Sequence, residues 1–79
     1  MRFNDDERQR LLEAHGVGPR VIDRLEQIGI SSLHELAQCR AEVLCAQISH
    51  AIGSSCWRNS PQARQSIQAA VERAQPERD

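Results

Sequence analysis

The four residues Gly16-Val17-Gly18-Pro19 constrain this chain more than any others. Two glycines two apart stop a helix, because they admit φ > 0 where a side chain would clash. Pro19 then starts a new helix at its first turn, where the missing N–H costs nothing. The flanks are helical in pattern. Asn4, with Glu7 three residues on, is close to a capping box and opens a first helix through Leu11 and Leu12 to about His15. Beyond Pro19, Val21, Leu25 and Ile28 form one stripe at i, i+4, i+7, and Gly29 supplies the stop. Ile30 is expected to tuck into the core as the chain turns. The expectation is a helix, a tight turn and a helix over residues 5–28.

The rest of the chain continues in helices. Ser32 and Glu35 predict a short third helix, 32–38, through Leu33, Leu36 and Ala37. A helix pair follows over 41–74. Its first member runs from about Ala41 to Ile52, with Leu44, Ile48, Ala51 and Ile52 on one face, and ends at Gly53. Residues Ser54 to Asn59 read as a loop, and Ser60-Pro61 as an N-cap and first-turn pair. The last helix turns Ala63, Ile67, Ala70, Val71 and Ala74 inward. Residues 75–79 form a polar tail, expected to fray. No strand-like alternation occurs, and 79 residues fill one core at most. The fold class expected is all-α: a compact orthogonal bundle of about five helices in a single domain, 1–79. Its second half reads as a faint echo of the first, without the second glycine.

The turn at residues 16–19 carries the chemistry. A glycine turn lets backbone come near a ligand, and the helix that follows presents unpaired N–H groups and its positive dipole end. Such a site suits a phosphate and needs no particular side chain. Arg20 and Arg24, one helical turn apart, are placed to add phosphate contacts. The plainer reading of both is an exposed charge paired with a neighbour, Gln27 or Glu13 for Arg24.

From Leu12 to Leu36 the chain resembles the helix-hairpin-helix family, in which Gly–apolar–Gly–Pro precedes an amphipathic helix closed by Gly–apolar. The likeness covers about a third of the chain. More loosely, the layout is similar to small bacterial proteins of the pathogenicity-locus family and to the carboxy-terminal domain of the competence regulator TfoX. The resemblance implies a SAM-like bundle and non-enzymatic, sequence-independent binding of duplex DNA. Around Val17 at the turn, the amides of Gly16, Gly18, Arg20 and Val21 would meet phosphate oxygens of one strand. It further implies a monovalent cation held by the carbonyls of Leu12, Ala14 and Val17. His15 departs from the residues common there, and the acidic first turn Asp5-Asp6-Glu7 would repel DNA if it lay on the hairpin side. One hairpin offers two or three phosphate contacts, so binding would be weak, within an oligomer or beside a protein partner. The same bundle could instead serve as a protein–protein adaptor, as sterile-alpha-motif domains do.

Charge and cysteine content bound these readings. The net charge is −1, against the basic balance common in nucleic-acid binders, although all ten basic residues are arginine. No apolar run approaches the roughly 20 residues that cross a bilayer, and no signal peptide is evident, so no membrane partner and a cytoplasmic location are expected. Cys39, Cys45 and Cys56, with His50, are spaced six, five and six apart and match no common zinc pattern. Cys45 and Cys56 read as small buried residues. The histidines, His15, His34 and His50, read as exposed or capping groups. Ser54, Ser55, Cys56 and His50 do not assemble a nucleophile, base and orienter from one short loop, so no enzyme is expected. Trp57 is read as closing the core, with anchoring of a partner as the alternative.

Overall fold

The computed structural model describes residues 2–75. They form α1 (Asp5–Leu12), α2 (Pro19–Gln27), α3 (Leu33–Ala37), α4 (Ala41–Ile52), α5 (Cys56–Asn59) and α6 (Pro61–Ala74). No strand occurs among the described residues, and the fold is an all-α bundle. The expected tail at 75–79 falls mostly outside them.

Caps define the helix starts. Asn4 accepts from the Glu7 amide at 2.8 Å and the Glu7 side chain accepts from the Asn4 amide, a complete capping box. Ser32 accepts from the Glu35 amide at 3.2 Å and Ser60 from the Ala63 amide at 3.2 Å. Pro19 and Pro61 open α2 and α6. These are short-range bonds that the sequence prescribes directly.

Four expectations change. The first helix ends at Leu12, because the Ala14 amide turns back to the Leu11 carbonyl at 3.0 Å and tightens the chain early. Residues 56–59, expected as loop, close one helical turn. Ser54 Oγ accepts the Cys56 amide and Ser55 carbonyl accepts the Asn59 amide, so 41–74 holds three helices rather than two. Cys56 is consequently exposed, while Cys45 is buried. On α4 the buried face is Ala41, Leu44, Cys45, Ile48 and Ser49, and Ala51 points to solvent.

One core joins the helices. Leu11, Ile22, Leu25, Leu36, Leu44, Ile48 and Ile67 are fully buried in it, and Ile28, Ile30 and Trp57 pack half-buried against it. Each such side chain contributes about 1.5–3 kcal/mol by leaving water. Ile22, outside the i, i+4, i+7 stripe, is more deeply buried than Ile28. Phe3, only 4% exposed, plugs the end of the bundle.

Long-range polar contacts set the helices against one another. The Phe3 amide donates to Glu26 Oε2 at 2.9 Å, and Arg8 lies 3.6 Å from both Glu26 and Asp23. Glu7 Oε2 accepts the Leu33 amide at 2.8 Å, so the first turn of α1 also caps α3. At the other end of α1, Arg73 donates through Nε to the Arg10 carbonyl at 3.1 Å and through Nη2 to Glu13. That guanidinium from α6 satisfies a carbonyl the helix end leaves open.

Candidate nucleic-acid interface

The turn between α1 and α2 is built almost wholly from backbone. The Val17 amide donates to the Ala14 carbonyl at 3.1 Å, and Gly16 sits at φ +85°. That left-handed conformation costs an L-residue about 1–2 kcal/mol, so glycine is the residue that holds it without strain. Behind it lies α6, with Ser66 Oγ 3.6 Å from where a Cβ would stand. Val17 points inward and is buried, which fixes the turn to the core.

Gly18 differs. Its backbone is extended, φ −118° and ψ −179°, a conformation open to any residue. A Cβ there would meet nothing within 4 Å. Of the two turn glycines, therefore, only Gly16 takes the positive φ expected of both. Gly18 is the N-cap of α2 and offers no side chain to the amides behind it. Folding alone favours Ser, Thr, Asp or Asn at such a position.

Three of the four candidate donors are open. The amides of Gly16, Gly18 and Arg20 have no internal acceptor among the described residues. The Val21 amide is engaged by the Gly18 carbonyl at 3.1 Å, and the Val21 side chain is buried. The candidate cation-holding carbonyls divide similarly: Ala14 already accepts from Val17, whereas those of Leu12 and Val17 accept no backbone N–H.

The two arginines separate as well. Arg20 is exposed beside the open amides and forms no ion pair among the described residues. Arg24 is half-buried, and its Nη1 donates to Gln27 Oε1 at 2.8 Å, directing it along α2 away from the turn. Its Nε is buried without a partner. Glu13, near the turn, is occupied by Arg73 rather than by Arg24.

The acidic first turn lies at the far end of the hairpin. The Phe3–Glu26 bond sets the start of α1 beside the last turns of α2, while the glycine turn joins their opposite ends. Eight residues of helix, about 12 Å, separate the two ends of α1. Glu7 is further spent on the Asn4 and Leu33 amides. His15 is exposed on the turn itself.

The remaining chemistry-bearing residues are dispersed. No three His, Cys, Asp or Glu side chains converge as metal donors among the described residues. Cys39 Sγ donates to the Glu35 carbonyl at 3.3 Å; burial, then the Glu35 charge, pushes its thiol pKa up. Burial also raises that of Cys45, partly offset by Arg64. Phe3, Ile22, Glu26 and Arg73 escaped sequence reasoning. Arg73 meets Arg10 and Glu13 across 63 and 60 residues, with no local pattern to signal it. No helix among the described residues is long and apolar enough to cross a membrane. Comparison of the chain with protein-family models, curated proteins and solved structures finds no match.

Proposed function

We propose that this chain is a non-enzymatic helix-hairpin-helix module of the small bacterial kind, acting in the cytoplasm, that grips the phosphate backbone of duplex DNA without reading sequence. The observation that carries this reading is Gly18, a glycine that neither its dihedral angles nor its surroundings require. Absence of a side chain there keeps the amides of Gly16, Gly18 and Arg20 accessible to an external oxygen. Those donors, the N-terminal dipole of α2 and the unpaired Arg20 suit an anion. With the acidic turn of α1 at the opposite end, the net charge of −1 does not describe the field at this site. A monovalent cation bridging the Leu12 or Val17 carbonyl and a phosphate belongs to the same reading.

Fluorescence anisotropy on a labelled duplex tests it, comparing wild type, Gly18→Ser and Arg20→Glu. Neutral amides release no counterions and Arg20 is the one cation at the turn, so binding is weak with a log–log salt slope of about −1. A serine at position 18 would cap α2 through the Arg20 or Val21 amide and put its side chain where the phosphate must approach. Gly18→Ser therefore loses DNA binding while remaining folded, and Arg20→Glu weakens it further than charge neutralisation alone. Absence of wild-type binding at low salt, or undiminished binding by Gly18→Ser, would sink the proposal.

One observation favours a protein-binding adaptor instead. Val43, 47% exposed, lines a shallow apolar hollow on α4 with Glu42, Ala46, Gln47 and His50. On that reading Val43→Glu abolishes partner capture, and Gly18→Ser has no effect.

A further inference from the structure

The end of α4 and the one-turn α5 enclose a second polar site, remote in sequence from the glycine turn. Ser49, His50, Gly53, Ser54, Ser55 and Arg58 line a cleft of about 310 Å³. None of them is acidic. Ser49 is only 7% exposed, and its hydroxyl has no hydrogen-bond partner among the described residues. A helical serine ordinarily returns its hydroxyl to the carbonyl four residues back. Here it does not, and an unpaired buried hydroxyl costs about 1–3 kcal/mol. A ligand oxygen reaching the floor of the cleft would remove that cost.

The surroundings define the ligand's charge. Two of the four carbonyls at the end of α4 are covered by the turn itself: Ser54 donates to Ser49 at 3.0 Å and Gly53 to His50 at 3.3 Å. Arg58 forms no ion pair among the described residues, so its guanidinium is available. Arg64 Nη2 donates to the Arg58 carbonyl at 3.3 Å and ties the end of α5 to α6. Ser54 Oγ accepts the Cys56 amide at 3.2 Å, leaving its O–H free to donate, and Ser55 adds another hydroxyl. Hydroxyl donors, an arginine without an internal partner among the described residues and a histidine match a phosphoryl group.

We propose that this cleft is a phosphate-binding site. Ser49 and Ser54 donate hydroxyl hydrogens to the phosphoryl oxygens, and Arg58 supplies the charge. The group could be inorganic phosphate or an ester on a nucleic-acid strand, since both present the same oxygens. The proposal stands on side chains and does not depend on the hairpin binding DNA.

Titration of the isotope-labelled full chain with inorganic phosphate, ionic strength held constant with chloride, is the test. Amide shifts of residues 49–58 move and saturate. Ser49→Ala weakens the site about tenfold, the worth of one hydrogen bond to a charged group. Arg58→Gln abolishes saturation, and the unchanged spectrum elsewhere shows that both variants fold. Non-saturating shifts, or wild-type affinity in both variants, would overturn the assignment. Oligonucleotides with and without a 5′-phosphate then separate the sources: response to the phosphorylated strand alone marks a terminal monoester, and equal response marks the backbone. If the cleft saturates while the amides of Gly16 and Gly18 stay still in duplex, the hairpin reading falls and this one survives.

Discussion

Gly18 sets two quantities against each other at a single residue. A serine there caps α2 through the Arg20 or Val21 amide, a bond that Gly18 cannot make. Gly18→Ser is therefore expected to raise the unfolding free energy by about a few tenths of a kcal/mol in urea denaturation. On the proposed function, DNA affinity moves the opposite way. Gly16→Ala lacks this property: at φ +85° it loses about 1–2 kcal/mol, so any binding defect would be confounded with unfolding. The thiols also report on their positions. Cys56 is exposed, Cys39 half-buried and Cys45 buried, with the latter two pKa values raised. Because the thiolate is the reactive form, a thiol reagent labels Cys56 first, Cys39 more slowly and Cys45 only on unfolding. Mass spectrometry of partially labelled protein reads that order; early labelling of Cys45 would contradict its burial. The same shifts carry a linkage sign. Folded Cys39 and Cys45 hold their protons above the ordinary value of 9.0, where the unfolded chain releases them. Stability from these groups is thus complete below that value and lost as pH rises past it through the folded values.

At the scale of elements, legibility followed sequence distance. The Asn4–Glu7 box, the Ser32 and Ser60 caps, the Pro19 and Pro61 starts and the stop at Gly53 each involve residues within four positions, and the sequence states them outright. The turn at residues 16–19 was legible for the same reason. What escaped were contacts between distant segments. Nothing near Arg73 announces that it will cap α1, and nothing near Phe3 announces Glu26. Of the two readings of Arg24, the structure shows the contact with Gln27, because packing as well as spacing decides the direction of a long side chain. The α5 turn was missed because Ser-Ser-Cys-Trp-Arg-Asn has no strong helix former apart from Arg; side-chain and backbone bonds close it locally. Arg73 yields an element-level prediction. Its ion pair with Glu13 is partly exposed and by itself worth little, but its bond to the Arg10 carbonyl covers an open helix end. Arg73→Met should cost about 1 kcal/mol and speed hydrogen exchange at Ala14 and Val17 more than in α4. Uniform acceleration across the chain would argue against a local tie.

The whole molecule depends on a small core. Ile22 lies in α2 beside the candidate interface, fully buried among side chains from other helices. Ile22→Ala should cost about 2–5 kcal/mol, large against the 5–15 kcal/mol typical of domains, and lower the melting temperature by about 4–8 °C per kcal/mol. Calorimetry would show one transition if the helices unfold as a unit. Helix α6 has a consequence for how the molecule comes into being. It supplies Ile67, Ala70 and Val71 to the core, Ser66 behind Gly16, and Arg73 at the base of the turn. On a translating ribosome, α1 and α2 leave the exit tunnel well before that support exists. A nascent chain stalled ahead of residue 60 holds the glycine turn in sequence but lacks the scaffold that orders it. Shortened translation products would therefore lack the ordered turn.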